Sequence, residues 1–348
     1  MIVSSLSELI GNTPILRIPF QGNKVELFIK LEIFNPCGSM KDRMALSMLN
    51  RVEQQAGDPD QLHIVESSSG NTATALSMLC TERNYKFTAI MDGHAAADKV
   101  SAVRALGGEV RLIGAAEGRL ATAERDEIAH RLAAEDDNTY CTAQHDNPAN
   151  ADGYTALAGE LLNQIGPNIT HFFAAIGTGG SLCGTSRALK QANPAITVIG
   201  VEPEGSIIFG GPAQDYLQSG TGTPDGASVG LVIDYEVIDQ GKKVSDLMAF
   251  ATCRALANCY GLMVGGSAGG AIFEAIRYCA TAPEGTRVVT LACDNGTKYL
   301  DSIYDDEWLR TRLPDIDQAI NEVTEMLTGG PDYRAQVQKN RSRLQATE

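Results

Sequence analysis

One lysine stands in a setting suited to covalent chemistry. Lys41 follows the turn-rich segment Asn-Pro-Cys-Gly-Ser-Met and precedes apolar residues at helical spacing, including Met44 and Met48. This pattern predicts that Lys41 lies on the first turn of a helix. We expect a lowered pKa for Lys41, because the positive end of the helix dipole and the neighbouring Arg43 both disfavour the ammonium form. A neutral amine can form a Schiff base with an aldehyde; the alternative is an ordinary surface lysine.

Three glycine-rich turns could bind the rest of a molecule that carries such an aldehyde. Residues 66–73 bring hydroxyls and backbone N–H groups to a predicted helix N-terminus, which suits a carboxylate. Residues 177–181 (Gly-Thr-Gly-Gly-Ser) can close around a phosphate but lack the lysine of a Walker loop, and residues 265–270 present Ser267 at a helix start. Packing alone explains any one turn equally well. Together with Lys41, the turns form the set of groups that pyridoxal phosphate requires.

Strand-like and helical segments alternate along the chain, which predicts parallel sheets covered by helices on both faces. The predicted strands are 25–31, 63–65, 87–91, 109–112, 172–176, 196–201 and 288–292, and the predicted helices are 40–55, 72–83, 98–106, 120–133, 153–164 and 182–192. A length of 348 residues favours two lobes, which the Asn- and Asp-rich segment 142–152 would connect. The stretch 205–230 has seven glycines, two prolines and no clear period, so we expect a functional loop there.

Composition and charge narrow the function classes. A net charge of −15 disfavours nucleic acid and anionic membranes as partners. The N-terminus has no basic region and no long apolar run, so we expect no signal peptide, no membrane span and a cytoplasmic protein. Eight cysteines and five histidines are scattered without the spacing of a disulfide framework or a metal site, which predicts reduced thiols and no metal.

From near its N-terminus to about Trp308, the chain resembles the fold type II pyridoxal-phosphate enzymes of the cysteine synthase and cystathionine β-synthase family. The motifs occur in the family's order: Leu-Ile-Gly-Asn-Thr-Pro at 9–14, Lys-Leu-Glu at 30–32, Asn-Pro at 35–36, Gly-Ser-Met-Lys-Asp-Arg at 38–43, Ser-Ser-Gly-Asn-Thr at 68–72, Ala-Leu-Gly-Gly-Glu-Val at 105–110, Gln144 with Asn-Pro at 147–148, and the turns at 177–181 and 265–269. The resemblance implies a two-lobed α/β fold of the tryptophan synthase β type, each lobe a mostly parallel sheet covered by helices. The smaller lobe would be 36–149 with 1–11, the larger cofactor-binding lobe 12–35 plus 150–312, and the helical tail 313–348.

The resemblance also implies a role for each motif. Lys41 would hold pyridoxal phosphate covalently and, once released, act as the base at the substrate Cα; Asn71 would bond the ring hydroxyl and Ser267 would face the pyridine nitrogen. The cofactor phosphate would be bound by Gly177, Thr178, Gly179, Gly180 and Ser181. The substrate α-carboxylate would be bound by Ser68, Ser69, Gly70, Thr72 and Gln144. Because a neutral hydroxyl cannot keep the ring nitrogen protonated, β-elimination to an aminoacrylate and addition of a nucleophile are favoured over transamination.

The nucleophile is harder to assign. Residues 219–224 (Ser-Gly-Thr-Gly-Thr-Pro) depart from the Gly-Ile-Gly-Ala-Gly-Phe type segment of cysteine synthases. Residues 202–210, residues 144–147 with 153–154, and residues 298–304 look more like the branch that joins O-phospho-L-serine to L-glutamate. Its product, N-(2-amino-2-carboxyethyl)-L-glutamate, is a precursor of 2,3-diaminopropionate for siderophores or antibiotics. Tyr154 is a candidate contact for the leaving group or the second substrate, or else a packing tyrosine. Glutamate would need a cationic or N–H-rich site, and loop 205–230 contains no lysine or arginine.

Several alternatives stay open beside this prediction. Cysteine or cystathionine synthesis uses the same chemistry and is the runner-up, and a dehydratase that releases pyruvate would be a slow side reaction. A catalytically silent binding partner is disfavoured because every cofactor position carries a workable side chain. A dinucleotide-dependent dehydrogenase would need a G-x-G-x-x-G after an early strand, which the chain lacks. Members of the family usually form homodimers, so we expect one here.

Overall fold

The computed structural model describes residues 2–329 apart from 21, 23, 57–60, 94, 96 and 115–121. Within these residues the strands form two sheets, one ordered β1-β2-β10-β7-β8-β9 and the other β5-β4-β3-β6. The strands are β1 (Ile15–Phe20), β2 (Val25–Lys30), β3 (His63–Ser67), β4 (Lys86–Asp92), β5 (Glu109–Ile113), β6 (Thr139–Cys141), β7 (His171–Ala175), β8 (Thr197–Pro203), β9 (Gln240–Val244) and β10 (Arg287–Leu291). Every pairing is parallel except that of β1 with β2. The predicted mostly parallel α/β architecture is thus confirmed.

Helices cover both sheets. They are α1 (Lys41–Gln55), α2 (Asn71–Glu82), α3 (Ala97–Ala105), α4 (Thr122–Glu135), α5 (Ala149–Asp152), α6 (Thr155–Ile165), α7 (Gly180–Ala192), α8 (Asp246–Tyr260), α9 (Gly266–Thr281), α10 (Asp306–Arg312) and α11 (Ile316–Thr328). The larger hydrophobic core surrounds the six-stranded sheet, and a second core packs α1 and α2 against the four-stranded sheet. The chain crosses from one sheet to the other through residues 142–152, which include α5.

The predicted strands and helices are all present, with ends that differ by at most two residues. Residues 120 and 121, where one helix was expected to begin, and residues 330–348 of the expected tail lie outside the described residues. Three strands were missed. Proline interrupts β1, β6 has only three residues, and β9 (Gln-Gly-Lys-Lys-Val) is polar because it lies at the outer edge of its sheet beside β8.

Two sequence-wide expectations concern the cysteines and the membrane. All eight cysteines are free thiols, as predicted. In the part of the chain that the structure describes, no helix is both long enough and apolar enough to cross a membrane. The lobe boundaries inferred from the resemblance stay a prediction, as does the homodimer.

Candidate active site

Four helix N-termini carry the residues that the sequence analysis singled out. Helix α1 begins at Lys41, α2 at Asn71, α7 at Gly180 and α9 at Gly266. Their N-cap residues make no side-chain capping hydrogen bond in the described structure, whereas serine and aspartate side chains cap α8 and α10. Free N–H groups at a helix start, together with the helix dipole, favour bound anions.

Lys41 is half-buried on the first turn of α1, as predicted. Burial is the main effect that lowers the pKa of its ammonium group, and the acidic groups of Cys293, Asp294 and Glu66 oppose that effect to the extent that they are ionised. These three groups therefore lie within electrostatic range of the lysine amine. The contribution expected from Arg43 was wrong, since burial and not a neighbouring cation drives the change.

Arg43 has a different task, because its guanidinium is held in a buried ionic network. Its Nε lies 2.6 Å from Glu32 Oε2 and its Nη1 lies 2.7 Å from Glu160 Oε1. Lys30 Nζ pairs with the other oxygen of Glu160 at 2.7 Å. Two cations and two carboxylates thus balance in the interior, and they fix the start of α1, and with it Lys41, against α6 and β2.

The predicted carboxylate loop joins β3 to α2. Thr72 Oγ1 donates to Gln144 Oε1 at 2.8 Å, and Gln144 Nε2 donates to the Ser67 carbonyl at 3.3 Å, so the structure brings these predicted residues together. The backbone N–H of Gly70 contacts Ser68 Oγ at 3.3 Å.

Ser69 points to a neighbouring ion pair that sequence reasoning missed. Its Oγ accepts from Arg125 Nη1 at 2.9 Å and from the backbone N–H of Asp92 at 3.0 Å. Arg125 in turn pairs with Asp92 Oδ2 at 2.8 Å. Both charged side chains are largely buried, with 10% and 14% of their surface exposed. A guanidinium therefore lies directly beside the serine-rich loop.

The second glycine-rich turn connects β7 to α7 and contacts the carboxylate loop through Asn150. Asn150 Nδ2 donates to Thr178 Oγ1 at 3.0 Å and to the Gln144 carbonyl at 2.7 Å. Gly179 has a φ of +89°, a conformation that favours glycine. A Cβ at Gly180 would lie 1.9 Å from Asn150 Oδ1. Gly177 and Ser181 flank these residues, Ser181 being buried in the first turn of α7.

Asn71 is held by two residues that the sequence analysis did not assign. Its Nδ2 donates to Asp294 Oδ2 at 2.8 Å, and its Oδ1 accepts from Lys298 Nζ at 2.6 Å. Tyr299 also donates to Asp294 Oδ2, at 2.7 Å. Because a side-chain amide has two N–H bonds, Asn71 keeps one N–H for a further acceptor.

Ser267 lies in the first turn of α9 beside the Cys293 thiol, whose pKa burial raises to about 12. Because Cys293 is also in electrostatic range of Lys41, the third turn faces the same region as the lysine. Both groups are neutral, which agrees with the expectation of an uncharged partner at this position.

Tyr154 is fully buried in the larger core, at the start of α6. Its hydroxyl has no hydrogen-bond partner among the described residues, and burial raises its pKa well above the usual value. After burial, the acidic groups of Glu32 and Cys293 are the next largest causes of this rise. The structure thus places Tyr154 among core residues, and its contact with a leaving group or second substrate stays a prediction.

A positional rule could have found part of what was missed. Asp92 is the last residue of β4, and Asp294 follows β10 by three residues. The two residues belong to different sheets, but each lies at the carboxyl end of a parallel strand, where α/β proteins bind their ligands. Arg125 carries no such signal, because it is one of several charged residues in the amphipathic helix α4.

These groups fit pyridoxal phosphate. The uncapped start of α7 suits a phosphate, Lys41 suits an aldehyde, and the remaining N–H of Asn71 suits a ring hydroxyl. When bound, the cofactor supplies an electron sink for carbanion chemistry at an amino-acid Cα.

Comparison with known proteins agrees with this fit. Residues 6–294 match the family described as "Pyridoxal-phosphate dependent enzyme". A Sinorhizobium fredii protein named "Putative cysteine synthase" is 46% identical over 90% of this chain and 94% of its own length. The N-(2-amino-2-carboxyethyl)-L-glutamate synthase of Cupriavidus metallidurans is 32% identical over 89% and 92% of the two chains.

Solved structures give the same result. The crystal structure of the O-acetylserine dependent cystathionine β-synthase from Helicobacter pylori superposes with a TM-score of 0.78 at 32% identity, covering 88% of this chain and 100% of that one. This chain therefore belongs to the fold type II pyridoxal-phosphate dependent enzymes, as a cysteine synthase-like β-replacement enzyme.

Proposed function

We propose that the enzyme joins O-phospho-L-serine to L-glutamate, giving N-(2-amino-2-carboxyethyl)-L-glutamate and phosphate. The relative in Cupriavidus metallidurans carries the name of this activity and is similar over nearly its whole length. Such a product would feed the synthesis of 2,3-diaminopropionate.

The residues of the site would bind the serine substrate, remove its Cα proton and bind the cofactor. Thr72 and Gln144, already bonded to each other, orient the α-carboxylate of the serine substrate together with Ser68, Ser69 and Gly70. Lys41 holds the cofactor and then removes the proton at Cα, which its lowered pKa favours because a larger fraction of the amine is neutral. Gly177 to Ser181 bind the phosphate of the cofactor, Asn71 its ring hydroxyl and Ser267 its ring nitrogen.

The position of Arg125 is the observation that supports glutamate as the nucleophile. Loop 205–230 contains no cation, and Arg125 supplies one from α4, bonded to Ser69 within the carboxylate loop. Burial lowers the pKa of His145, and the positive charges of Lys41 and Arg125 lower it further, so each of these cations lies within electrostatic range of His145. A guanidinium presents paired N–H groups that match a carboxylate. A carboxylate of glutamate can compete with Asp92 for this group.

Cysteine synthesis is the second candidate, because the Sinorhizobium fredii relative is 46% identical and bears a cysteine synthase name. Sulfide carries no carboxylate, so Arg125 would have no comparable partner in that reaction. Cystathionine synthesis uses homocysteine, which does carry one. The nucleophile therefore has to be tested with all three compounds.

A crossed steady-state assay tests the proposal. O-Phospho-L-serine and O-acetyl-L-serine are each combined with glutamate, sulfide and homocysteine, and the products are quantified by mass spectrometry. We expect the highest kcat/KM with O-phospho-L-serine and glutamate. Faster turnover with sulfide than with glutamate would reject the proposal in favour of cysteine synthesis.

Variants of Arg125 test whether its guanidinium binds a carboxylate of glutamate. In Arg125→Met, the KM for glutamate should rise about tenfold to a hundredfold, the loss of one charge-assisted contact, while sulfide turnover changes little. Arg125→Lys keeps the charge but not the paired geometry and should give an intermediate KM. An unchanged KM for glutamate in Arg125→Met would remove Arg125 from the second-substrate site.

A further inference from the structure

A cavity lies beside Lys298, the residue that donates a hydrogen bond to Asn71. It has a volume of about 210 Å³ and lies between α3, residues 217–219 of the long loop and the segment after β10. None of its lining residues belongs to the carboxylate loop or to the glycine-rich turns. At about 30 Å³ per water molecule, the cavity has room for roughly seven waters, or for a molecule the size of an amino acid.

Two lysines bring positive charge to the cavity. Lys99 from α3 and Lys298 are both half-buried and both line it. Burial is the main effect that lowers the pKa of Lys298; Asp294 and Asp42 oppose it, and the positive charge of Lys99 lowers the pKa further, so the two ammonium groups lie within electrostatic range of each other. Lys99 stacks at 5.9 Å from the centre of the Tyr299 ring. Among the described carboxylates, none lies within ion-pair distance of Lys99.

The rest of the lining separates into a polar rim and an apolar floor. Asp98 and Asp301 are exposed at the rim, where water screens their charge. Phe250, Ile303 and Trp308 supply apolar surface below them. An anion between Lys99 and Lys298 would relieve their repulsion, and the apolar floor would accept a short carbon chain.

We propose that this cavity binds a small carboxylate-bearing molecule of amino-acid size between Lys99 and Lys298. Hydrogen bonds connect this cavity to the expected cofactor site. Lys298 donates to Asn71 Oδ1, and Tyr299 donates to Asp294, the other partner of Asn71. A carboxylate that contacts Lys298 therefore alters the electrostatic surroundings of Asn71. The ligand is either the incoming second substrate or a separate effector, which share this chemistry.

Titration of the holoenzyme with glutarate tests the site, because glutarate has two carboxylates and no amine that could react. Calorimetry measures binding, and the absorbance of the cofactor reports the coupling. We expect saturable binding that Lys99→Met weakens at least tenfold. Lys99→Arg keeps the charge and should retain binding. Lys86→Met removes an exposed lysine at the start of β4 and serves as the matched control.

The binding and kinetic results show whether the site exists and, if it does, whether it binds the second substrate or an effector. Equal affinity in the wild type and in Lys99→Met would overturn the proposal, and so would loss of glutarate binding in Arg125→Met but not in Lys99→Met. If the site receives the second substrate, Lys99→Met raises the KM for that substrate and leaves the KM for O-phospho-L-serine unchanged. If it receives an effector, glutarate shifts the cofactor absorbance without competing with the second substrate. The titration does not depend on glutamate being the nucleophile, so it remains decisive if the crossed assay selects sulfide.

Discussion

Lys298 Nζ donates to Asn71 Oδ1 at 2.6 Å, and this contact determines which way the Asn71 amide faces. An ammonium group can only donate, so the amide oxygen must point to Lys298. The amide nitrogen is then directed to Asp294, a carboxylate that can only accept when ionised. Lys298 on one side and Asp294 on the other therefore orient the Asn71 side chain, which we expect to bond the ring hydroxyl of the cofactor.

Replacing Lys298 by methionine should weaken cofactor binding. The variant loses a hydrogen bond from a charged donor, worth about 1.5–3 kcal/mol, and leaves the Asn71 amide free to rotate. We expect the Kd for pyridoxal phosphate to rise by at least about tenfold. Fluorescence titration of the apoenzyme measures the Kd, with Lys86→Met as the control. An unchanged Kd would show that Asn71 keeps its orientation without Lys298.

Sequence patterns could locate Lys41 and the three glycine-rich turns because their information is local. Turn residues followed by helical spacing place a residue at a helix start wherever they occur. Arg125 on α4 and Asp294 after β10 reach the site through contacts with residues far away in the chain, Asp92 and Asn71 respectively. The error over Arg43 has the same origin, since its partners Glu32 and Glu160 come from other elements.

Gly180→Ala and Gly159→Ala form a matched pair. A Cβ at Gly180 would lie 1.9 Å from Asn150 Oδ1 and displace the residue that links Thr178 to Gln144. A Cβ at Gly159 in α6 meets nothing within 4 Å. We expect Gly180→Ala to lower both thermal stability and cofactor affinity, and Gly159→Ala to stabilise by about 0.5–1 kcal/mol. Equal effects would mean that the turn tolerates a side chain.

The buried ionic network should be sensitive to the loss of one charge. Glu160→Gln leaves Arg43 and Lys30 in the interior with Glu32 as the remaining carboxylate of the network. Breaking a buried pair from one side costs about 3–5 kcal/mol. Urea unfolding measures this change. The matched control is Glu53→Gln, which breaks a more exposed pair with Arg83 and should cost at most about 1 kcal/mol.

Lys41→Ala tests the covalent role of the lysine. We expect loss of the visible absorbance that the protein shows with pyridoxal phosphate, and a fall in kcat of at least about a hundredfold, the usual contribution of a general base. Reduction with borohydride followed by peptide mass spectrometry should label the wild type at Lys41 and leave the variant unlabelled. A retained label in the variant would assign the Schiff base to another lysine.

Glu66 should make stability depend on pH. The carboxyl is 1% exposed, and burial raises its pKa from 4.5 to about 7, although a hydrogen bond from Thr142 opposes this. Between these values the folded protein keeps a proton that the unfolded chain has released. The contribution of Glu66 to the free energy of unfolding is therefore greatest below pH 4.5 and is lost as the pH rises through 7.

Glu66→Gln removes the ionisable carboxyl, so the difference between variant and wild type contains only the pH dependence that Glu66 causes. We expect the free energy of unfolding of the variant, minus that of the wild type, to increase by on the order of 3 kcal/mol between pH 4.5 and pH 8. Urea unfolding at several pH values measures this difference, and Glu124→Gln, at an exposed glutamate, serves as the control. A flat difference for Glu66→Gln as well would mean that Glu66 is ionised at acidic pH in the folded protein, and its negative charge would then act on Lys41 throughout the working range.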